Sequence, residues 1–197
     1  MLTVVTPAES YDLVSVEAVK AALGISGSGE DETLPPLISA ASTAITNECN
    51  RGSFIAETVE ETLFIRGLEA VLLSRYPVSE VVSVTHCGSV LDPSAYEVAP
   101  AYGMLIRLCG DRVGFWTSGR LVVRYVAGYN LDKVPADLVR ATIMLVQTYR
   151  ASDSRDPLLR AEEVGDIERL EYNVQSGTAL PGPVADLISR HRKPAGA

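Results

Sequence analysis

The spacing of apolar residues changes twice along this chain of 197 residues, and each change predicts a different kind of secondary structure. Between Val16 and Cys49 apolar side chains recur every three or four residues, which predicts two helices, the first with Ser15 as its N-cap. Residues 57–127 alternate apolar and polar positions, which predicts strands. Helical spacing returns at residue 134. The sequence therefore predicts an α+β fold with a β region inserted into a helical core.

The predicted strands are short and are separated by short turns containing glycine or proline. Parallel strands need long crossover connections, so this spacing predicts antiparallel pairing. We expect a single α+β domain over residues 1–177, with the β insertion at about 57–127, and a C-terminal tail over residues 178–197.

The third predicted helix, near residues 135–151, has an unusually wide apolar arc. One stripe begins at Leu138, and a second stripe beside it consists of Val139, Ile143 and Val146. An arc this wide is more than one packing surface needs. The second stripe is therefore either buried in the domain or, as we hypothesise, a subunit interface.

The tail carries a second, shorter helical signal. Its apolar residues follow helical spacing, Pro183 stands at the natural first position, and basic residues crowd the end. A helix this short is unstable alone in water, so it must pack on something, either its own domain or a partner. The hypothesised docking residues are Val184, Leu187, Ile188, Arg190, Arg192 and Lys193.

The charge distribution sets this tail apart from the rest of the chain. The chain has 25 acidic and 17 basic residues, whereas residues 176–197 have one acidic and three basic residues. An acidic body argues against tight binding to the DNA backbone. No apolar run approaches the ~20 residues of a membrane span, and no signal-type start is present, so we expect a soluble protein. Three widely spaced cysteines indicate thiols in a reducing compartment.

Two clusters invite a catalytic or metal-binding interpretation. The neighbours His86 and Cys87 would point to opposite faces of a strand, so we expect no shared site there. The run Glu30-Asp31-Glu32 lacks the ligand spacing of a calcium loop and is typical of a solvated turn. We therefore expect no catalytic, cofactor-binding or metal-binding residue and no enzymatic activity. A small metal-dependent hydrolase is the alternative from another functional class.

Taken in order, the segments resemble the head–tail connector (adaptor) family, which forms rings under the portal of tailed phages and of phage-like particles such as gene transfer agents. The resemblance covers nearly the whole chain and rests on the order and spacing of several pieces. They are residues 16–25 (VEAVKAALGI), 31–41 (DETLPPLISAA), 50–51 (NR), 75–84 (RYPVSEVVSV), 91–98 (LDPSAYEV), 126–129 (VAGY), 134–138 (VPADL), 149–150 (YR), 180–184 (LPGPV) and 191–192 (HR).

The resemblance implies a structural, non-enzymatic subunit of a homo-oligomeric ring, commonly twelvefold, that passes DNA without specific binding. It implies the portal protein and a stopper or tail-completion protein as partners, with the C-terminal helix inserted against the portal. It also implies production in the bacterial cytoplasm and a final place in the neck of the particle, with no membrane partner. A stopper or tail-completion protein is the alternative within the same structural class.

Overall fold

The computed structural model describes residues 1–153, 161–164, 168–171 and 180–193, and its architecture is α+β, as predicted. The chain forms two compact units, each assembled from two separate segments. A β-rich unit combines residues 1–11 with 51–134, and a helical unit combines residues 12–50 with 135–197. The C-terminal tail is thus grouped with the helical unit. Among the described helices, none is long and apolar enough to cross a membrane.

The β-rich unit contains two antiparallel sheets. The larger has the order β1-β2-β9-β4-β5, and the smaller has the order β3-β7-β6 with β8 paired to β7. Their bounds are β1 Leu2–Thr6, β2 Glu57–Ile65, β3 Ala70–Leu72, β4 Val78–His86, β5 Ser89–Val90, β6 Tyr96–Ala99, β7 Met104–Cys109, β8 Arg112–Val113 and β9 Gly119–Ala127. The sequence predicted strands at 57–127, but β1 was missed.

One apolar core is shared by the two sheets. On the central strand β9, Leu121, Val123 and Tyr125 are fully buried and alternate with half-buried residues, as the pleat of a strand requires. Leu105 of β7 and Trp116, which follows β8, join the same cluster. The alternation in the sequence therefore marks the inward face of a two-sheet packing.

A buried carboxylate also lies on this inward face. Glu61 of β2 accepts hydrogen bonds from the Ser74 backbone N–H at 2.9 Å, from the Tyr125 hydroxyl at 2.8 Å and from the Ser74 hydroxyl. Burial, together with the adjacent Glu61 carboxylate, raises the pKa of the Tyr125 hydroxyl, which keeps it protonated as a donor. Glu61 therefore fixes the segment after β3 to the sheet through bonds that water cannot replace in the core.

The helical unit contains α1 Val16–Leu23, α2 Leu34–Glu48, α3 Ala136–Asp153, α4 Gly182–Ile188 and an antiparallel hairpin of β10 Ala161–Val164 with β11 Glu168–Glu171. The predicted cap of α1 is present, since the Ser15 hydroxyl accepts from the Ala18 N–H at 3.2 Å. The helix ends at Gly24, whose φ of 67° favours glycine. For residues 151–178 we expected a loop or weak hairpin. Residues 151–153 instead continue α3, the hairpin of β10 and β11 lies in this range as expected, and the remaining residues lie outside the described ones.

Replacing Glu61 by Gln tests the buried carboxylate. The amide places an N–H group among the donors that face this position, so we expect Glu61→Gln to lower the free energy of unfolding by about 1–3 kcal/mol, measured by urea denaturation. The control is Glu60→Gln, because Glu60 is the preceding residue on the same strand and lies half-buried on the opposite face. Equal stabilities for the two variants would contradict a structural role for Glu61.

Candidate functional site

The C-terminal helix α4 begins at a rigid turn. The Pro181 carbonyl accepts hydrogen bonds from the N–H groups of Val184 at 2.9 Å and Ala185 at 3.0 Å, while Pro183 occupies the first turn, where its missing N–H costs nothing. A short 3₁₀ turn, Ser189–His191, extends the helix. Even with this extension the segment is far shorter than a helix that is stable alone in water.

The helix obtains its stability by packing inside the helical unit. Val184 and Ile188, one turn apart, are 1% and 0% exposed. The Cys49 thiol lies 3.9 Å from the Ile188 carbonyl, and the Lys193 N–H donates to the Cys49 carbonyl at 2.9 Å. In this structure the tail is therefore folded back onto α3 and the end of α2, the first of the two alternatives left open by the sequence.

Asp137, in the first turn of α3, receives the charged end of the tail. Its carboxylate accepts hydrogen bonds from Arg190 Nε at 2.6 Å and from His191 Nε2 at 2.7 Å. Burial raises the pKa of the Asp137 carboxyl, but the bonds from His191 and Arg190 outweigh that effect and leave the pKa below its ordinary value. A second ion pair joins Arg192 to Glu48 at the end of α2. We call these two ion-pair sites the tail latch.

The six hypothesised docking residues therefore have different environments. Val184 and Ile188 face the interior of the unit, and Arg190 and Arg192 keep exposed side chains although both are paired. Leu187 is half-buried on the rim of a groove of about 400 Å³. The other residues lining this groove are Arg140, Met144, Pro183 and Asp186. Lys193 is half-buried.

The hypothesised subunit interface on α3 is also divided. Val146 is 0% exposed and contributes to the core of the helical unit, whereas Val139 and Ile143 retain partial exposure. Any contact made by this face with another copy would therefore be carried by Val139 and Ile143.

The structure contradicts our argument about His86 and Cys87. Cys87 lies beyond the end of β4 in a turn, with φ of 51°, so the alternation of a strand does not apply to it. Its sulfur lies 3.6 Å from His86 Nε2, which is itself 3.1 Å from the Thr117 carbonyl oxygen. The two side chains therefore meet, but no cluster of three metal-ligating residues exists within the described residues.

The acidic turn forms ion pairs with neighbouring helices. Glu30 pairs with Arg150 of α3 at 2.6 Å, and Asp31 pairs with Lys20 of α1. These pairs engage two of the three carboxylates of the run Glu30-Asp31-Glu32. The turn thus links α1 and α3 within the helical unit.

Sequence reasoning missed the acceptors of the tail latch. Neither Asp137 nor Glu48 was predicted from the sequence to face the tail. The available signal was charge complementarity, since the only basic segment had to face carboxylates if it folded back. Which carboxylates it would face depends on packing between residues more than fifty positions apart.

A family model and several solved structures are similar to this chain. A family model described as head completion protein matches residues 12–193. Curated protein sequences include no match. Solved structures with the same fold include chains from "Neck of empty GTA particle computed with C6 symmetry" (20% identity, TM-score 0.61), "Neck of native GTA particle computed with C12 symmetry" (21%, 0.61) and "Virion of native gene transfer agent (GTA) particle" (20%, 0.63). Each match covers 100% of this chain and 98% of the other.

Shortening a buried side chain of α4 tests the packing of the tail. We expect Ile188→Ala to cost about 2–5 kcal/mol of tail packing, because it leaves a cavity at a fully buried position. Exchange of the Lys193 amide hydrogen should then accelerate by roughly 30-fold or more, as measured by NMR. Leu187→Ala, at the half-buried neighbour, should change this rate much less. Similar rates for both variants would contradict the packing described.

Removing the Asp137 charge tests the tail latch and its pH dependence. We expect Asp137→Asn to lower the free energy of unfolding by about 1–2 kcal/mol at pH 7. Because folding lowers the pKa of this carboxyl, its contribution is fully present above the ordinary value of 3.8 and is lost as the pH falls through the lower folded value. The stability difference between wild type and variant should therefore vanish in acid.

The control for this measurement is Asp186→Asn, an exposed carboxylate on α4 itself. We expect it to change stability by less than about 0.5 kcal/mol across the same pH range. A difference between wild type and Asp137→Asn that stays constant down to pH 2 would refute the latch.

Proposed function

This chain belongs to the head completion protein family, and on that premise we propose that it is a ring subunit of the neck that joins the portal to the tail. The observation that carries this proposal is the extent of the match, which includes residues 51–134 of the β-rich unit and residues 12–50 and 135–193 of the helical unit. The resemblance to head–tail connectors found in the sequence is confirmed by it. The protein is thus a structural component of the head–tail neck, in a phage or in a phage-derived particle such as a gene transfer agent.

The proposed ring is a homo-oligomer, with twelve copies as the expected number. A ring closes only through heterologous contacts, in which two different surfaces of each copy meet. The exposed parts of Val139 and Ile143 are one candidate surface for such a contact. Assembly would follow synthesis in the bacterial cytoplasm and end in the neck of the particle.

Passage of DNA through the ring requires a surface that does not hold it. The formal net charge of −8 disfavours contact with phosphates, so DNA would move past the ring without specific binding. Arg190 and Arg192 on the tail are engaged by carboxylates of the same unit. They therefore add little attraction for DNA while the tail is folded back.

We infer that the C-terminal tail is the portal-binding segment. Docking through all six residues, Val184, Leu187, Ile188, Arg190, Arg192 and Lys193, requires the helix to leave its present position. Exposing Val184 and Ile188 costs about 1.5–3 kcal/mol for each side chain, and the latch must open as well. A portal groove that buries the same residues and supplies carboxylates would offset this free energy of undocking. The proposed tail thus exchanges an internal partner for an external one.

Two alternatives remain to be separated from this function. A stopper or tail-completion protein would bind the tail of the particle or another neck ring rather than the portal. A small metal-dependent hydrolase would need a stoichiometric ion, and the meeting of His86 with Cys87 is the observation that favours testing it. Metal analysis of the purified protein distinguishes the hydrolase, and portal binding distinguishes the stopper.

Removing the tail tests portal docking. We expect full-length protein to decorate portals as a ring in negative-stain images, and we expect a chain truncated after Gly177 to lose at least 90% of this decoration. Circular dichroism of the truncated chain should retain the β signal of the β-rich unit. Normal decoration by the truncated chain would show that the tail is not the docking segment.

A reversible covalent link tests whether the tail must leave its position. The Lys193 N–H and the Cys49 carbonyl are hydrogen-bonded, so Lys193→Cys brings a new thiol close to Cys49, and mass spectrometry of the oxidised protein shows whether the disulfide has formed. We expect the oxidised variant to fail to decorate portals and reduction to restore decoration to the level of Lys193→Ser. Lys193→Ser, which removes the same docking lysine but cannot form the link, should decorate portals equally under both conditions. Equal decoration by the oxidised and reduced variant would mean that the tail docks in place.

A further inference from the structure

The five-stranded sheet has two edges that lack a partner strand along most of their length. On one side of β1 lies β2, and no strand among the described residues pairs with the other side. At the opposite edge β5 pairs with β4 only at Thr85 and His86. The Leu91 N–H also donates to the Val84 carbonyl at 2.8 Å, so the open outer edge of β4 within the described part of the chain is the stretch from Val78 to Ser83.

Strand β1 lacks several of the devices by which proteins prevent pairing between sheets. It has five residues without a charge or proline, and Val4 and Val5 are 39% and 37% exposed. Edge strands exposed to solvent usually carry charges or prolines that block strand addition, so the uncharged edge of β1 is typical of a strand that acquires a partner. On the opposite edge, the open stretch of β4 exposes Val82 (52%) and carries one exposed charge, Glu80.

The pairing register shows that the two edges lie at the same level of the sheet. Rows of directly opposed residues can be followed across the sheet from β1 through β2 and β9 to β4. One row is Val4, Val59, Tyr125 and Val81, and another is Thr6, Thr58, Val126 and Glu80. A copy placed beside the first without any shift along the strands would therefore bring the two open edges together.

Strand direction also fits. Each of the three pairings between β1 and β4 is antiparallel, so β1 and β4 run in opposite directions. A second copy set beside the first in the same orientation places its β4 antiparallel to β1, with the same faces of the two sheets aligned. This is the arrangement that forms β-ladder hydrogen bonds. Local irregularities at Val5 of β1 and at Ser79 and Val82 of β4 each interrupt the pairing at one residue.

We propose that β1 of one copy pairs with the Val78–Ser83 stretch of β4 in the next copy, so that strand addition forms a subunit contact of the ring. This inference rests on the proposed ring function. The contact is heterologous because it joins two different edges, and it requires no step along the strands, as a closed ring demands. The main-chain hydrogen bonds supply affinity, and the exposed valines supply apolar contact across the junction.

Chemical crosslinking tests this contact directly. Val4→Cys and Val82→Cys are combined in a chain in which Cys87→Ser and Cys109→Ser remove the exposed native thiols. Portal-bound protein is then treated with a short bis-maleimide. We expect a ladder of covalent multimers, because each copy links to both neighbours, and no ladder from either single-cysteine chain.

Two outcomes would overturn the inference, and they differ from failure of the ring function. If the chains decorate portals but the double-cysteine chain gives no ladder, the ring exists and its contact lies elsewhere. If Val4 links instead to the portal or to a tail protein, β1 receives a strand from that protein and the proposal is wrong. If unsubstituted chains fail to decorate portals, the proposed function itself fails.

A charge on the edge provides an independent test. Val5→Lys adds a gatekeeping charge to β1, and we expect it to reduce portal decoration by at least tenfold without altering the thermal unfolding midpoint. The matched control is Val113→Lys, since Val113 is 57% exposed and lies on β8 of the smaller sheet. Undiminished decoration by Val5→Lys would refute the edge contact, and loss by both variants would assign the effect to charge alone.

Discussion

The pairing of β9 with strands on both sides is the interaction on which the β-rich unit depends. Strand β9 forms one nine-residue ladder with β2 and a shorter, bulged ladder with β4. Its inward side chains lie at the centre of the core that the two sheets share. Burial of these side chains drives the sheets together, because apolar area removed from water is the largest favourable contribution to folding. The ladders also fix which residues stand at the two edges. The register of β9 with β2 and β4 therefore determines which residues of the two edges lie at the same level of the sheet.

Much of the fold could be predicted from local patterns, because the period of apolar residues is a local property. The helices, the strands within 57–127 and the cap at Ser15 are of this kind. Strand β1 was missed because five residues before a proline become a strand only by pairing with β2, more than fifty positions later. His86 and Cys87 were misjudged because the left-handed conformation of Cys87 is set by the turn and not by the residue type.

The candidate site was predictable in its residues but not in its partners. Composition alone distinguished the basic tail, and the need of a short helix for a packing surface followed from nucleation cost. The choice between an internal and an external surface is a difference between two similar free energies. Local sequence carries no information on that difference, because the Asp137 and Glu48 carboxylates are contributed by other helices. The same residues can serve both states, which is what a segment that changes partners needs.

The discontinuous assembly of the β-rich unit has a consequence for how the protein can be divided. Residues 51–134 form an uninterrupted segment, yet excising them would leave β1 behind, since residues 12–50 belong to the helical unit. Strand β2 would then become a nine-residue open edge that includes the exposed Phe64. Long uncovered edges promote aggregation. Strand β1, at the start of the chain, thus covers the edge of β2. The β-rich unit can therefore be isolated intact only if residues 1–11 are joined to residues 51–134.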